Sequence, residues 1–265
     1  MKLEKALILL HSNQSAREES VFTSRITSRS MLLVTILYLL FLLSLPLGRP
    51  SELIWFALYP IVMSPLISQP YQKIFINSLY ILPFIILIGI FNPIYDTSEA
   101  FRIGTYKISK GWVIFFSLII RGLLSMQALI ILIKSTGFIE ICNSLYKLRC
   151  PKIITCQLLM LYRYIGLFIA EGINIRRSVE SRGYGKKSYS VKIWATIIGS
   201  MLIRTYERSK RIHNSMLSRG FQGFLPMGEM RNWSSLDTLF LFGWCLVFIL
   251  LRSFDISSIM FSKFI

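Results

Sequence analysis

Acidic residues are scarce in this chain of 265 residues: 13 Asp and Glu stand against 30 Lys and Arg, and there are only two histidines. The long apolar runs are almost free of carboxylates. Acidic groups inside membrane spans mark proton and ion pathways, so their scarcity argues against a self-sufficient secondary transporter or channel. His11 and His213 have no partner at ligand spacing. A transition-metal site wants several imidazoles or carboxylates together, so no metal ligand is assigned to this chain, and His213 reads as a packing residue. Four cysteines, Cys142, Cys150, Cys156 and Cys245, include no C-x-x-C pair and read as apolar packing residues. No Ser/His/Asp or Cys/His constellation is present, which removes the usual basis for an enzyme. Gly185-Lys186-Lys187-Ser188 resembles the end of a P-loop, but the required earlier glycine is Glu180. The chain is therefore not expected to hydrolyse ATP or to bind a cofactor of its own. A secretory signal peptide is not expected either, because the opening stretch is of mixed charge.

What the sequence has in excess is apolar surface. With 54% hydrophobic and only 16% charged residues, and a mean hydropathy of +0.57, it exceeds what a soluble core of this length needs. Lipid is the implied solvent. Met31–Leu47 is a run barely long enough to span, stopped by Pro46-Leu47-Gly48-Arg49-Pro50. Leu53–Ile67 is apolar but interrupted by Pro60 and Pro65, and either spans with a kink or dips into the bilayer. Ile74–Phe91 is a span closed by Asn92-Pro93, and residues 94–110 form a polar loop. Trp112–Ile133 spans with Arg121 near its middle, a charge that faces the helix bundle or reaches an interface. Leu236–Leu251 is the final span, with Trp233 and Trp244 placed as interfacial aromatics.

The net charge of +17 is concentrated rather than spread. From Lys134 to Arg231 there are about 17 Lys and Arg against about 5 Asp and Glu. A basic block between apolar spans is what the positive-inside rule predicts for a cytoplasmic segment, and its placement on apolar helices speaks against a nucleic-acid partner. The expected fold is an all-α integral membrane protein of about five transmembrane helices with a cytoplasmic domain of long amphipathic helices. Its divisions are a cytoplasmic segment 1–30, transmembrane helices over 31–134, the cytoplasmic block 135–232, and a last span with an external C-terminus over 233–265.

The block 135–232 carries a helical period after Pro151, with Leu158, Leu161, Ile165, Phe168 and Ile169 recurring at three- and four-residue steps. Further on, Tyr206, Ser209, His213, Met216 and Gly220 share one face, and Arg204, Arg208, Arg211 and Ser215 lie opposite. Glu207 and Arg211 are spaced for an i,i+4 pair. Both helices end alike. Ser178-Val179-Glu180-Ser181-Arg182-Gly183-Tyr184 is matched by Ser215-Met216-Leu217-Ser218-Arg219-Gly220-Phe221, about 37 residues on. Gly183 and Gly220 can take the left-handed conformation that closes a helix. Arg182 and Arg219 sit in the last turn, where the helix dipole favours a cation. Ser181 and Ser218 are small enough for a close approach, and Tyr184 and Phe221 can anchor an exposed tip. Two such tips, each with an arginine able to fork onto a carboxylate, make a paired docking device.

Arg204-Thr-Tyr-Glu-Arg-Ser-Lys-Arg-Ile-His-Asn-Ser-Met-Leu-Ser-Arg-Gly-Phe-Gln-Gly223 resembles the signature of the transmembrane T component of energy-coupling factor transporters, nearest the cobalt/nickel, CbiQ-like branch. Tyr162-Arg163-Tyr164-Ile165 followed by Glu171, and Leu148-Arg149-Cys150-Pro151, resemble it too. The likeness covers most of residues 90–225 and thins over the N-terminal spans. The family's paired motif is usually Ala-Arg-Gly; both copies here read Ser-Arg-Gly, small for small. The resemblance implies that Ser181, Arg182, Gly183, Tyr184, Ser218, Arg219, Gly220 and Phe221 dock two ABC-type ATPase subunits that bind the ATP. It further implies that Arg163, Glu171, Arg204, Glu207, Arg208 and Arg211 build the coupling domain, and that a separate membrane subunit binds the substrate, cobalt or nickel. Two alternatives stay open: a general T component serving vitamin-binding subunits, and a lipid-bound membrane scaffold with no ATPase partner.

Overall fold

The computed structural model describes residues 26–46, 50–95, 99–103, 106–182, 190–223 and 232–253, and the statements below concern these. The chain divides into two compact units, residues 17–141 with 231–265, and residues 1–16 with 142–230.

In the first unit, α1 (Ser28–Ser44), α2 (Pro50–Trp55) and α3 (Leu58–Leu66) are followed by α4 (Tyr71–Ser78), a 3-10 turn (Leu79–Ile81), α5 (Leu82–Gly89) and α6 (Phe91–Tyr95). A short antiparallel hairpin, β1 (Glu99–Ile103) and β2 (Tyr106–Ser109), leads into α7 (Lys110–Thr136); α8 (Phe138–Lys147) follows, and α11 (Ser235–Ser253) comes last. Helix dominates, as the apolar runs require: in lipid the backbone must satisfy its own polar groups. The chain is an all-α, multi-pass membrane protein with one small hairpin in place of the polar loop expected over 94–110. In its register Phe101 lies opposite Ile108 and Ile103 opposite Tyr106.

Four stretches are long and apolar enough to cross a membrane: Tyr71–Ile94, Lys110–Thr136, Lys152–Ser181 and Ser235–Ser253; Ser28–Ser44 and Glu52–Leu66 are shorter apolar helices. Residues 71–94 run as one length interrupted by the 3-10 turn, which falls just before Pro83, where a missing N–H disturbs the ladder. The long α7 is the hub, packing against α1 and each of α2 to α6. Gly122 and Gly89 permit the close approach of α7 to α5: a Cβ on Gly122 would collide with Ile85, and one on Gly89 would sit 2.9 Å from the Phe115 ring.

Residues 52–66 are pinned by a buried aromatic cluster. Tyr38 of α1 stacks on Tyr59 at 4.5 Å between ring centroids, Phe248 of α11 lies 5.6 Å from Tyr38, and Trp244 meets Tyr59 edge-on at 5.0 Å. The break between α2 and α3 has a chemical cause. Pro60 has no N–H to offer the Phe56 carbonyl four residues back. The Tyr38 hydroxyl donates to that carbonyl at 3.1 Å, and the Tyr59 amide reaches it at 3.4 Å.

Arg121 faces the protein. Its Nη2 donates to the carbonyl of Leu45 at 2.6 Å, the residue that closes α1, where helix-end carbonyls lack partners. Its Nε is buried without a hydrogen bond.

The second unit contains α9 (Lys152–Arg182) and α10 (Val191–Ser218), which pack side by side, preceded by the end of α8. That α9 has the length and composition of a span differs from the expected amphipathic helix. Its charges explain this: between Ile153 and Ala170 only Arg163 is charged, and Glu171, Arg176, Arg177, Glu180 and Arg182 crowd the remaining third. All four cysteines are free thiols; Cys142 and Cys156 are buried, and burial pushes the Cys142 thiol pKa up.

Candidate functional site

The ends of the helices in the second unit are set by backbone chemistry. At the end of α10, Gly220 has φ 82°, its amide donates to the Leu217 carbonyl at 3.0 Å, and the Phe221 amide donates to the Met216 carbonyl at 3.0 Å. These two bonds define a Schellman closure with glycine at the left-handed position. The expected role of Gly220 in ending the helix is thus met. Gly183 and Tyr184 lie outside the described residues, and Arg182 is the last helical residue of α9. Ser181 and Ser218 do the same thing in the two copies of the repeat: Ser181 Oγ donates to the Arg177 carbonyl at 2.9 Å, and Ser218 Oγ to the Asn214 carbonyl at 3.0 Å. Each folds its hydroxyl back on its own helix, leaving a small, self-satisfied surface before the arginine. Arg219 and Ser218 are exposed at the tip.

A second Schellman closure ends α8, and no residue type in the sequence announces it. The Cys150 amide donates to the Leu145 carbonyl at 3.1 Å and the Arg149 amide to the Tyr146 carbonyl at 3.1 Å, with Arg149 itself at φ 66°. A non-glycine residue here is strained, by about 1–2 kcal/mol.

Between α9 and α10 the charged residues come together around one carboxylate. Glu171 lies 3.6 Å from Arg204 and 3.9 Å from Arg208, a bridge across the two helices. The spaced pair Glu207–Arg211 is present but long, at 4.0 Å, and Arg176–Glu180 on α9 is tighter at 2.7 Å. Arg163 lies elsewhere on α9 and lines an open cleft with Arg208, Arg211 and Arg219. Arg208 lines the same cavity as Ser209, His213 and Met216, so that cavity reaches from the apolar face of α10 to the edge of the arginine face. Tyr206 is 67% exposed and His213 is exposed, so neither serves as a core contact.

Among the described residues, no three His, Cys, Asp or Glu side chains gather as metal ligands. What the arrangement offers is a pair of long helices tied by Glu171, at least one glycine-closed tip carrying an exposed arginine, and apolar faces left open. Ile198, Leu202 and Ile203 of α10 and Ile153 and Leu161 of α9 are all exposed. In a multi-pass membrane protein such open apolar faces meet lipid or another protein.

Comparison with known proteins gives that class a family. The chain matches the family described as CbiQ, cobalt transport protein, over residues 19–230, and belongs to it. It is also 30% identical over 135 residues, 49% of its own length, to a protein of Methanocorpusculum labreanum named provisionally as a fused cobalt transport protein, CbiMQ. The matched part is 22% of that relative's length.

Proposed function

We propose that this chain is the transmembrane coupling subunit of an ATP-driven cobalt importer of the energy-coupling factor type. The observation that carries it is the repeated Ser-Arg-Gly ending of two long helices, with the second copy closed at Gly220 and Arg219 held exposed just before it. Arg182 and Arg219 dock two ABC-type ATPase subunits through carboxylates on those partners, and Gly183 and Gly220 permit the blunt ends. Tyr184 and Phe221 anchor the tips. When the ATPases close on ATP, they carry the tips with them. Helices α9 and α10, tied through Glu171, then move as a pair and pass the displacement to a separate membrane subunit that binds the substrate. Their open apolar faces are the surface that subunit would cover.

Family membership favours cobalt as the transported ion over nickel or a vitamin. The relative's name, a fusion joining a Q part to another, fits a Q module that works beside a second transport module. In this reading residues 1–30 and the block 135–232 lie on the cytoplasmic side of the cell membrane, with the apolar length of α9 set along its edge. The start of α1 and the start of α11 meet at Asp237, which supports placing the segments before them on one side.

The test is co-purification from membranes with the ATPases co-expressed, comparing wild type with the Arg182→Glu/Arg219→Glu variant. The variant is expected to reach the membrane at normal level and to lose the ATPases. Full retention would remove the tips from the docking surface and return the chain to the scaffold alternative.

A further inference from the structure

We propose that the cleft between α9 and α10 is a binding site for an anionic phospholipid, its headgroup phosphate held by Arg163, Arg208 and Arg211. The cleft has a volume of about 780 Å³; its lining includes these three arginines, Arg219, Tyr164 and Ser215, and no acidic residue. The arginines are under-neutralised. Among the described residues, Arg163 and Arg219 have no carboxylate partner, and Arg208 and Arg211 hold theirs only at 3.9 and 4.0 Å. Like charges brought together from two helices repel unless an anion sits among them, and planar guanidiniums match phosphate oxygens in pairs.

A second cavity, also about 780 Å³, continues from the first and shares Tyr164, Arg208, Ile212, Met216 and Phe221 with it. The rest of its wall is largely apolar, with Leu158, Leu161 and Phe168 from α9. A free phosphate would use only the arginine half, and an apolar segment only the other. A phospholipid uses both, placing an acyl chain against α9 and its phosphate among the arginines. The ligand would fix the spacing of the two helices. This inference does not depend on an ATPase partner, and its variants leave Arg182 and Arg219 intact.

The full-length protein, purified and delipidated in detergent, is titrated with dioctanoyl phosphatidylglycerol, dioctanoyl phosphatidylcholine or inorganic phosphate, with binding followed by native mass spectrometry and by melting temperature. Wild type is expected to bind one phosphatidylglycerol saturably, and phosphatidylcholine at least about tenfold more weakly. Arg163→Gln/Arg211→Gln should lose about tenfold in phosphatidylglycerol affinity, whereas Lys192→Gln/Lys210→Gln, the same charge removed outside the lining, should not. Ser215→Asp, which plants a fixed anion in the cleft and removes no arginine, should weaken binding similarly and guards against a folding defect in the first variant. Equal binding of both lipids, equal loss in the lysine control, or displacement of lipid by phosphate at matched concentration would each overturn the proposal. So would variants that bind phosphatidylglycerol as wild type does but lose a co-expressed partner subunit, since the occupant would then be an acidic protein segment.

Discussion

The carboxylate of Asp237 accepts a hydrogen bond from the backbone amide of Thr27 at 2.7 Å, so the first and last apolar helices of the membrane unit begin at one shared anion. The same carboxylate takes the Ser234 amide at 2.8 Å through its other oxygen, and the Ser30 hydroxyl at 3.1 Å. Thr27 and Ser234 precede α1 and α11, and their amides are among those a helix start leaves unpaired. One buried charge therefore satisfies two helix starts, and the dipoles of both helices favour it there. Arg29, next along α1, lies over the Trp233 ring at 5.6 Å, closing the same corner with a cation–π contact.

Replacing Asp237 by alanine should therefore act on two helices at once. The buried Thr27 amide and the half-buried Ser234 amide would lose their acceptor, the first at about 1–3 kcal/mol and the second at less. Asp237→Asn keeps an acceptor for one amide and loses the charge, so its cost should be roughly half as large. Thermal unfolding in detergent would show the order wild type, Asn, Ala. An alanine variant as stable as wild type would mean that water replaces the carboxylate.

The Tyr38 hydroxyl supplies the shorter of two hydrogen bonds to the Phe56 carbonyl, which Pro60 has no N–H to reach. Tyr38→Phe keeps the stacking on Tyr59 and removes only that donor, so a loss of about 1 kcal/mol is expected. Pairing it with Pro60→Ala provides the check. Once alanine at 60 can supply the N–H, Tyr38→Phe should cost less, and additive losses would show that the two residues do not share this carbonyl.

Some of these relationships can be read in the sequence and others cannot. Ser234-Ser-Leu-Asp237 is a capping-box spacing immediately before an apolar run, so the local bond from the Ser234 amide is open to reading; its second client, Thr27, is 210 residues away and is not. Gly220 announces its helix end because glycine is the residue that left-handed closure favours. Arg149 carries no such sign, and only the backbone reveals it. Spacing names Glu207–Arg211 as a pair, yet the shorter contact is Arg204 to Glu171 on the neighbouring helix, which depends on how α9 and α10 pack. The polarity of α9 is hidden for a different reason: its charges are real but lie in the last third, and averaging over the whole helix masks the apolar length before them.

The two Schellman closures predict substitutions of opposite sign. Gly220→Ala puts a Cβ on a residue at φ 82°, with no neighbour within 4 Å, so the cost is conformational alone, about 1 kcal/mol. Arg149→Gly relieves the same conformation at φ 66° and should be neutral or stabilising by up to about 1 kcal/mol, offset in part by the freer unfolded chain. Melting temperatures of the two variants in the same detergent decide it. A loss on Arg149→Gly larger than that on Gly220→Ala would mean that the Arg149 side chain makes a contact worth more than the strain it causes.

Glu171 bridges the two long helices, and what it adds to stability can be measured apart from the coupling role proposed for them. Arg204 and Arg208 are 65% and 42% exposed, and exposed ion pairs contribute at most about 1 kcal/mol, so Glu171→Gln should barely change stability. If α9 and α10 transmit motion as a pair, the same substitution should nevertheless lower cobalt uptake per ATP hydrolysed while the ATPases remain bound. Charge reversal sharpens the test: Glu171→Arg sets a third cation against Arg204 and Arg208 and should lower uptake further, and Glu171→Arg combined with Arg204→Glu should recover part of it. Uptake of radioactive cobalt beside ATPase activity in reconstituted vesicles measures both quantities. Coupling unchanged in all three variants would mean that the bridge is a surface pair without mechanical consequence, and that the helices are held together by their apolar contacts alone.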